Sequence, residues 1–288
     1  MLEKKGSTEI LSNLTDQQLE VITRICKSFE KGVSIRINSD SDLCREYAFV
    51  EYFADLFSVY HSITEHKFEK KSFEFAFKYA SIAAGHSAEV NTNSSFQGAD
   101  VIRDGVKFSL KTEGEKSKSS IKVSKFSEAR FIAKYKTENE ERSIKDSNKT
   151  SEEKRYLLEQ LEERKNNILM PELANDLRRV ISHHLSSYER IIVLKANKHL
   201  DSQGEIVLYN YRLIEIPLET LREANKLDES SLTPLHGNGG TSATINSSNG
   251  EKLFGINVDG SVEKISLTGI KINKCITHAE FIVPVSLL

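Results

Sequence analysis

The sequence predicts an α+β fold with an α/β core: helices first, then a mixed central β-sheet flanked by helices, then a β-rich C-terminal part. Three observations carry this. Apolar residues recur at helical spacing through the first 84 residues. From residue 88 that period disappears, and Asp104-Gly105, a two-residue hairpin signal, separates two β-like runs. From 252 to 285 the pattern is β again, in short segments such as KLFGINV, SVEKISL and EFIVPV.

In chain order, 14–30 reads as a helix capped by Thr15 or Asp16, with Leu19, Ile22, Ile25, Cys26 and Phe29 at helical spacing. A second helix is expected at 42–60 and a third at 72–84, the latter with Ser72 as N-cap and Gly85 as stop. The aromatic residues of 47–60 and 73–79 fall at core positions rather than on a base-stacking platform. Residues 114–150 are rich in Lys, Ser and Glu; a helix is expected near 124–136 and a mobile, solvated stretch over 137–151. Helices follow at 152–168 and 171–187, with Pro171 at the first position of the second. The run 189–196 is a buried strand, 204–218 holds one or two more, and 218–227 is a short helix. Residues 228–250, rich in Ser, Thr, Asn and Gly, read as a long loop containing the flexible His236-Gly-Asn-Gly-Gly240 segment. The division this suggests is 1–227 for a core with N-terminal helices and 228–288 for a β-rich subdomain, serving DNA recognition or dimer contact.

Composition limits the function classes. With 40 Lys plus Arg against 42 Asp plus Glu, the net charge of −2 excludes a basic coating, so any contact with nucleic acid must use local positive charge. No run approaches the roughly 18 apolar residues of a membrane span, and the N-terminal MLEKKGSTEI lacks an apolar signal region. Three cysteines without metal-ligand spacing read as reduced thiols, which places the protein in the cytoplasm. His183-His184 lies mid-helix without partners at zinc spacing, and the Gly-rich segment at 236–240 lacks the Lys-Ser/Thr of a phosphate loop.

The chemistry-bearing segment is Asp100 to Lys111. If Asp104-Gly105 is a two-residue turn, Arg103 pairs with Val106 and Asp100 lies opposite Ser109. Side chains alternate faces, so Asp100, Ser109 and Lys111 share one face, while Ala99, Val101, Phe108 and Leu110 form an apolar one. A carboxylate and a lysine fixed on rigid strands suit metal-assisted phosphodiester hydrolysis: the acid holds Mg²⁺, and the lysine meets the phosphate and the attacking water. A second acid is needed. On a helical wheel Glu46 falls with Val50, Phe53 and Phe57, so it needs a partner, either a metal or an ion-pairing lysine. Glu113, on the strand face of Lys111, is another candidate metal ligand, followed by Glu128, Glu115 and Glu89.

Gly-Ala-Asp100, a short hairpin and a strand ending in Ser-Leu-Lys111 resemble the core of the PD-(D/E)XK nucleases, and more narrowly type II restriction endonucleases. The likeness covers about 40–215 in order of elements and implies a restriction-endonuclease-like fold. It implies Asp100 as the metal-binding Asp, Lys111 as the catalytic Lys and Glu46, in Arg-Glu-Tyr-Ala-Phe, as the helical Glu. Ser109 stands where the second acid usually stands, as in members with Ser-X-Lys and a displaced glutamate. Beyond Lys111, the cations Lys116, Lys118, Lys122, Lys125 and Arg130 are candidate contacts to DNA phosphates.

The reading is a Mg²⁺-dependent, site-specific endonuclease of a restriction–modification system acting on double-stranded DNA. The resemblance further implies a homodimer and a cognate DNA methyltransferase as genetic partner. Two alternatives remain open: another nuclease of this superfamily, acting in repair, recombination or on RNA, and a non-catalytic nucleic-acid-binding protein with a decayed nuclease core.

Overall fold

The computed structural model describes residues 11–91, 99–114 and 117–285. Its helices are α1 (Asp16–Lys31), α2 (Tyr47–His61), α3 (Lys70–Ala83), α4 (Glu138–Asp146), α5 (Ser151–Arg164), α6 (Met170–Leu185) and α7 (Leu218–Arg222). The strands are β1 (Ser34–Ile37), β2 (Ala88–Val90), β3 (Val101–Arg103), β4 (Val106–Gly114), β5 (Ser120–Glu128), β6 (Arg190–Leu200), β7 (Ile206–Glu215), β8 (Thr241–Asn246), β9 (Lys252–Asp259), β10 (Lys264–Lys271) and β11 (Ile276–Pro284).

A seven-stranded sheet runs β1-β11-β7-β6-β4-β3-β2, and a four-stranded sheet runs β5-β10-β9-β8. In the larger sheet β4 and β6 are parallel and the other neighbours antiparallel, which makes it mixed. Parallel neighbours need a long crossover; here it contains β5, α4, α5 and α6. The α+β architecture with a mixed, helix-flanked sheet and a β-rich C-terminal part is therefore as the sequence predicts.

Strand alternation divides the core into two layers. Phe108, Leu110, Ile192, Leu194 and Leu213 face α2 and α3, where Phe49, Phe53, Phe57, Phe73 and Phe77 form an aromatic layer. Phe57 stacks on Tyr211 at 4.4 Å between ring centroids. On the other face Ile191, Val193 and Ile214 meet Leu173, Leu177, Ile181 and Leu185, the apolar stripe of α6, together with the inner face of the small sheet. Ala99 joins this second layer, not the aromatic one, because it precedes the paired part of β3.

Several local expectations change; 241–246 forms β8 rather than part of a long loop, and α3 starts at Lys70 with Glu69, not Ser72, as its N-cap. Residues 120–128 form a strand, not the start of a helix: Ile121, Val123 and Phe126 are buried, and β5 pairs with β10, with a bulge near Lys125. The stretch 137–151 is not free in solvent. It contains α4, which buries none of its own residues but is tied to the next helix by Glu140–Arg164 and Glu141–Lys165 ion pairs. The loop at 236–240 is anchored: the Gly237 carbonyl accepts from Thr137 and Glu138 at the start of α4, at 2.7 and 3.0 Å. A Cβ at Gly260 would lie 2.0 Å from the Asn238 carbonyl oxygen, so this loop packs directly on the β9–β10 connection. Finally, α2 begins at Tyr47 rather than 42, because 41–44 is held in a turn: Ser41 Oγ accepts from the Cys44 amide, and Asp42 is bound by Arg190.

Arg190 also binds Glu215, which accepts from His278 at 2.9 Å, and so links the 41–44 turn to three strands of the large sheet. Desolvation works against ionisation of Glu215, but His278 and Arg190 outweigh it and hold its carboxyl below the usual range. His61 is buried against the Tyr211 hydroxyl, and burial pushes it down to about 4. Groups with depressed folded-state pKa contribute stability that is complete above their unfolded values and lost as pH falls. Melting temperature should therefore decline as pH drops from about 6.5 toward 4, first as unfolded His61 gains its proton and then as Glu215 is neutralised. A melting temperature unchanged across that window would contradict this account.

Candidate active site

Asp104 and Gly105 take φ of 48° and 83°, both positive as a tight hairpin turn of this kind requires. Arg103 pairs with Val106, Ile102 with Lys107 and Val101 with Phe108. The Asp100 amide donates to the Phe108 carbonyl at 2.8 Å, which carries the register to Asp100. The Asp100 carboxylate is then fixed from across the hairpin. Its Oδ2 accepts from the Leu110 amide at 2.7 Å and from the Ser109 hydroxyl at 3.3 Å. Lys111 Nζ lies 4.0 Å from the same oxygen. The structure thus brings Asp100, Ser109 and Lys111 together.

A second carboxylate comes from α3. Lys70 Nζ donates to Asp100 Oδ1 at 2.8 Å and lies 3.4 Å from Glu74 Oε1. Glu74 is 7% exposed, and its other oxygen accepts from Lys71 at 3.1 Å. One helical turn separates Lys70 from Glu74, so the two share a face and reach the end of β3 together. Sequence reasoning missed both. The signal was present: Glu74 shares an arc of α3 with buried Phe77 and Ser81, the same sign of a partnered acid that singles out Glu46.

Glu46 is placed differently. It is the N-cap of α2, with extended backbone, so a helical wheel does not set its direction. Its carboxylate meets His86 at 3.3 Å and Arg103 at 3.7 Å, and the His86 hydrogen bond holds its pKa low. Arg103 and Asp104 mark the turn end of the hairpin, three residues along from Asp100, or about 10 Å of extended chain. Glu113 is buried beside Lys111 on β4, but its oxygens are both engaged, one by the Lys122 amide at 2.7 Å and one by fully buried Lys195 at 2.9 Å. Glu128 pairs with Lys264 and Glu89 lies on β2; Glu115 and Lys116 fall outside the described residues.

Of the other cations, Lys118, Lys125 and Arg130 are exposed along or beside β5, an edge strand. Lys122 lines a cavity of about 470 Å³ with Lys67, Lys198, Thr112 and Glu113, next to the Lys111 strand end.

Electrostatics separate the two lysines on Asp100. Burial pulls Lys111 below the ordinary lysine value, and the charge of Lys70 adds to this, against the attraction of Asp100 and Glu74. Burial also disfavours charge on Lys70, but hydrogen-bonded Asp100 and Glu74 outweigh it and raise its pKa. His184, partly buried on α6, and Tyr188, buried just after it, lie within the field of Asp100; their buried Nε2 and hydroxyl have no hydrogen-bond partner among the described residues. Burial, reinforced by Lys111, pushes His184 down to about 4, so it is neutral near pH 7.

Among the described residues no three His, Cys, Asp or Glu form a cluster for a metal. The donor set nevertheless fits Mg²⁺, which is held by one or two carboxylates and keeps several waters or phosphate oxygens. The ammonium of Lys70 already stands between Asp100 and Glu74 as a cation.

A hairpin presenting an acid and a lysine with a depressed pKa, near one edge of a mixed sheet, suits phosphodiester hydrolysis chemically. Comparison with known proteins shows a likeness of the same kind. Residues 7–148 match the family model of SmaI, a type II site-specific deoxyribonuclease. Over 281 residues, 94% of each chain, the sequence is 26% identical to the type II restriction enzyme SmaI of Serratia marcescens. No solved structure matches. Over nearly its whole length the chain is thus similar to a type II restriction endonuclease. Among the described residues no helix is long and apolar enough to cross a membrane.

The Glu113–Lys195 pair is a support of the site that can be tested directly. Removing one partner of a buried ion pair costs about 3–5 kcal/mol, whereas removing both is close to neutral. Lys195→Met should lose roughly that stability in chemical denaturation, and Glu113→Gln with Lys195→Met should regain most of it. A double-variant loss equal to the sum of the losses of Lys195→Met and Glu113→Gln alone would mean that the two side chains are not coupled.

Proposed function

We propose that this chain cuts double-stranded DNA at a specific sequence as the nuclease of a restriction–modification system, using Mg²⁺ and leaving 5′-phosphate and 3′-hydroxyl ends. The observation that carries this reading is the Asp100 carboxylate, fixed by the Leu110 amide and Ser109 beside Lys111, and joined to Glu74 through Lys70. Asp100 and Glu74 would hold the ion, with Glu74 as the displaced acid that replaces the missing one at Ser109. The ion supplies charge neutralisation at the phosphate and an acidified water.

The protein's own groups do the rest. Ser109 and the Leu110 amide keep the Asp100 carboxylate in one orientation. Lys111 meets the scissile phosphate and the attacking water, and its depressed pKa makes proton exchange accessible near neutral pH. Water adds across the P–O3′ bond: it gives up a proton as the new P–O bond forms, and the departing 3′ oxygen gains one. Lys118, Lys122, Lys125 and Arg130 contact backbone phosphates, with the cavity beside Lys122 on the path of the strand. The small sheet and residues 228–288 contribute to reading bases or to contact between two copies. Two copies of the chain act on a palindromic site, in the cytoplasm, alongside a gene for a matching DNA methyltransferase.

Digestion of DNA of known sequence, with Mg²⁺ or with EDTA, followed by sequencing of the ends, tests this. Discrete fragments that need the metal support it; a smear would point to an unspecific nuclease and intact DNA to a binding protein. Asp100→Asn should abolish cutting without loss of specific binding. Lys111→Ala should slow single-turnover cleavage by about 10²–10⁴-fold, and Glu74→Gln should raise the Mg²⁺ requirement. Glu46→Gln, at the other end of the hairpin, should cut near normally; the reverse order of Glu46 and Glu74 would overturn the assignment of the second acid. Lys118→Ala should flatten the salt dependence of binding by up to about one unit while sparing the chemical step.

A further inference from the structure

The position of Lys70 is not explained by its own helix. It is the first residue of α3, followed by Lys71. The positive end of a helix dipole favours acids there and disfavours cations. The local sequence therefore works against an ammonium at this point, and what holds it is the acid pair. Its Nζ lies 2.8 Å from Asp100 Oδ1 and 3.4 Å from Glu74 Oε1, and so bridges one oxygen of each acid. The remaining oxygens are taken by other groups: Asp100 Oδ2 by the Leu110 amide and Ser109, and Glu74 Oε2 by Lys71. The oxygens open to a further cation are thus the ones Lys70 bridges. The Lys70 side chain is 43% exposed, so it can leave along a path to solvent.

We propose that Lys70 is a displaceable counter-cation that competes with the metal for Asp100 and Glu74, and that DNA relieves the competition by offering Lys70 a phosphate. This rests on the reading of Asp100 and Glu74 as the metal-holding acids. Without DNA the ammonium neutralises the pair, and a divalent ion binds only by displacing it. When a backbone phosphate enters, Lys70 has a second partner of the same charge type. The acids are then released to the ion while the ammonium stays nearby. Metal and DNA affinities are therefore coupled, and by linkage each strengthens the other to the same degree. Lys111 does not share this role: it stands 4.0 Å from the oxygen already fixed by the hairpin.

The test measures metal binding, not cleavage. The full chain without DNA is titrated with Mn²⁺, followed by calorimetry and electron paramagnetic resonance, for wild type, Lys70→Met, Lys70→Arg, Asp100→Asn and Lys78→Met. Lys78, on the same helix but stacked on Tyr79, controls for loss of surface charge. Lys70→Met is expected to bind Mn²⁺ about 10- to 100-fold more tightly, the range a charge-assisted hydrogen bond contributes. It should also melt lower than wild type in EDTA and recover with Mn²⁺. Lys70→Arg and Lys78→Met should stay within about threefold of wild type, less than half a decade of affinity. Should Lys70→Met fail to fold, Lys70→Gln carries the same expectation.

Mn²⁺ affinity in the neutral variant that is unchanged or weaker overturns the proposal, as does undetectable binding by every variant. Asp100→Asn separates the two levels. If it abolishes Mn²⁺ binding while Lys70→Met leaves affinity unchanged, the metal reading stands and only the role of Lys70 falls. If it leaves Mn²⁺ binding intact, both fall.

Discussion

The Asp104-Gly105 turn fixes the register of β3 on β4, and the site depends on that register. A slip of one residue would send Ser109 and Lys111 to the aromatic layer and bring Phe108 and Leu110 to the polar face. The turn alone does not suffice. Phe108 packs against Phe77, and Val101 and Leu110 are fully buried against the same helices, so the apolar face of the hairpin holds the polar face in place. The Asp100 carboxylate then locks the open end by accepting from the Leu110 amide.

Around this hairpin the charges are arranged in pairs, each answering the cost of burial. Glu113 is matched by Lys195, Glu74 by Lys70 and Lys71, and Glu215 by Arg190 and His278. Lys111 is the exception. It lies at 4.0 Å from its nearest acid and close to neutral His184, in surroundings that depress its pKa. A buried lysine with weak compensation is poorly suited to a structural ion pair and well suited to proton exchange. The same surroundings contain the unpartnered polar atoms of His184 and Tyr188, so the polar capacity of this corner exceeds what the described residues satisfy.

The small sheet shows how distant segments are drawn together. Its edge strand β5 follows β4 almost at once, yet its partner β10 comes more than a hundred residues later. That pairing converts a Lys- and Ser-rich run with no clear period into a strand whose apolar residues face the core. It leaves Lys118 and Lys125 exposed. The last strand, β11, returns to the large sheet between β1 and β7.

The sequence by itself determined the hairpin, the shared face of Asp100, Ser109 and Lys111, and the main helices and strands, because turn chemistry and residue periodicity are local. It marked α2 and α3 as aromatic core by the same logic. Only the tertiary structure decided which acid joins Asp100. A wheel drawn over Glu46 presumes a helix that in fact starts one residue later, whereas Glu74 meets Asp100 through a lysine thirty residues away in sequence. The strand at 120–128, the anchored loop at 236–240 and the Glu113–Lys195 pair are likewise legible only when remote partners are known. Pairing across a sheet and compensation of buried charge depend on residues far apart in the chain, and no local pattern carries them.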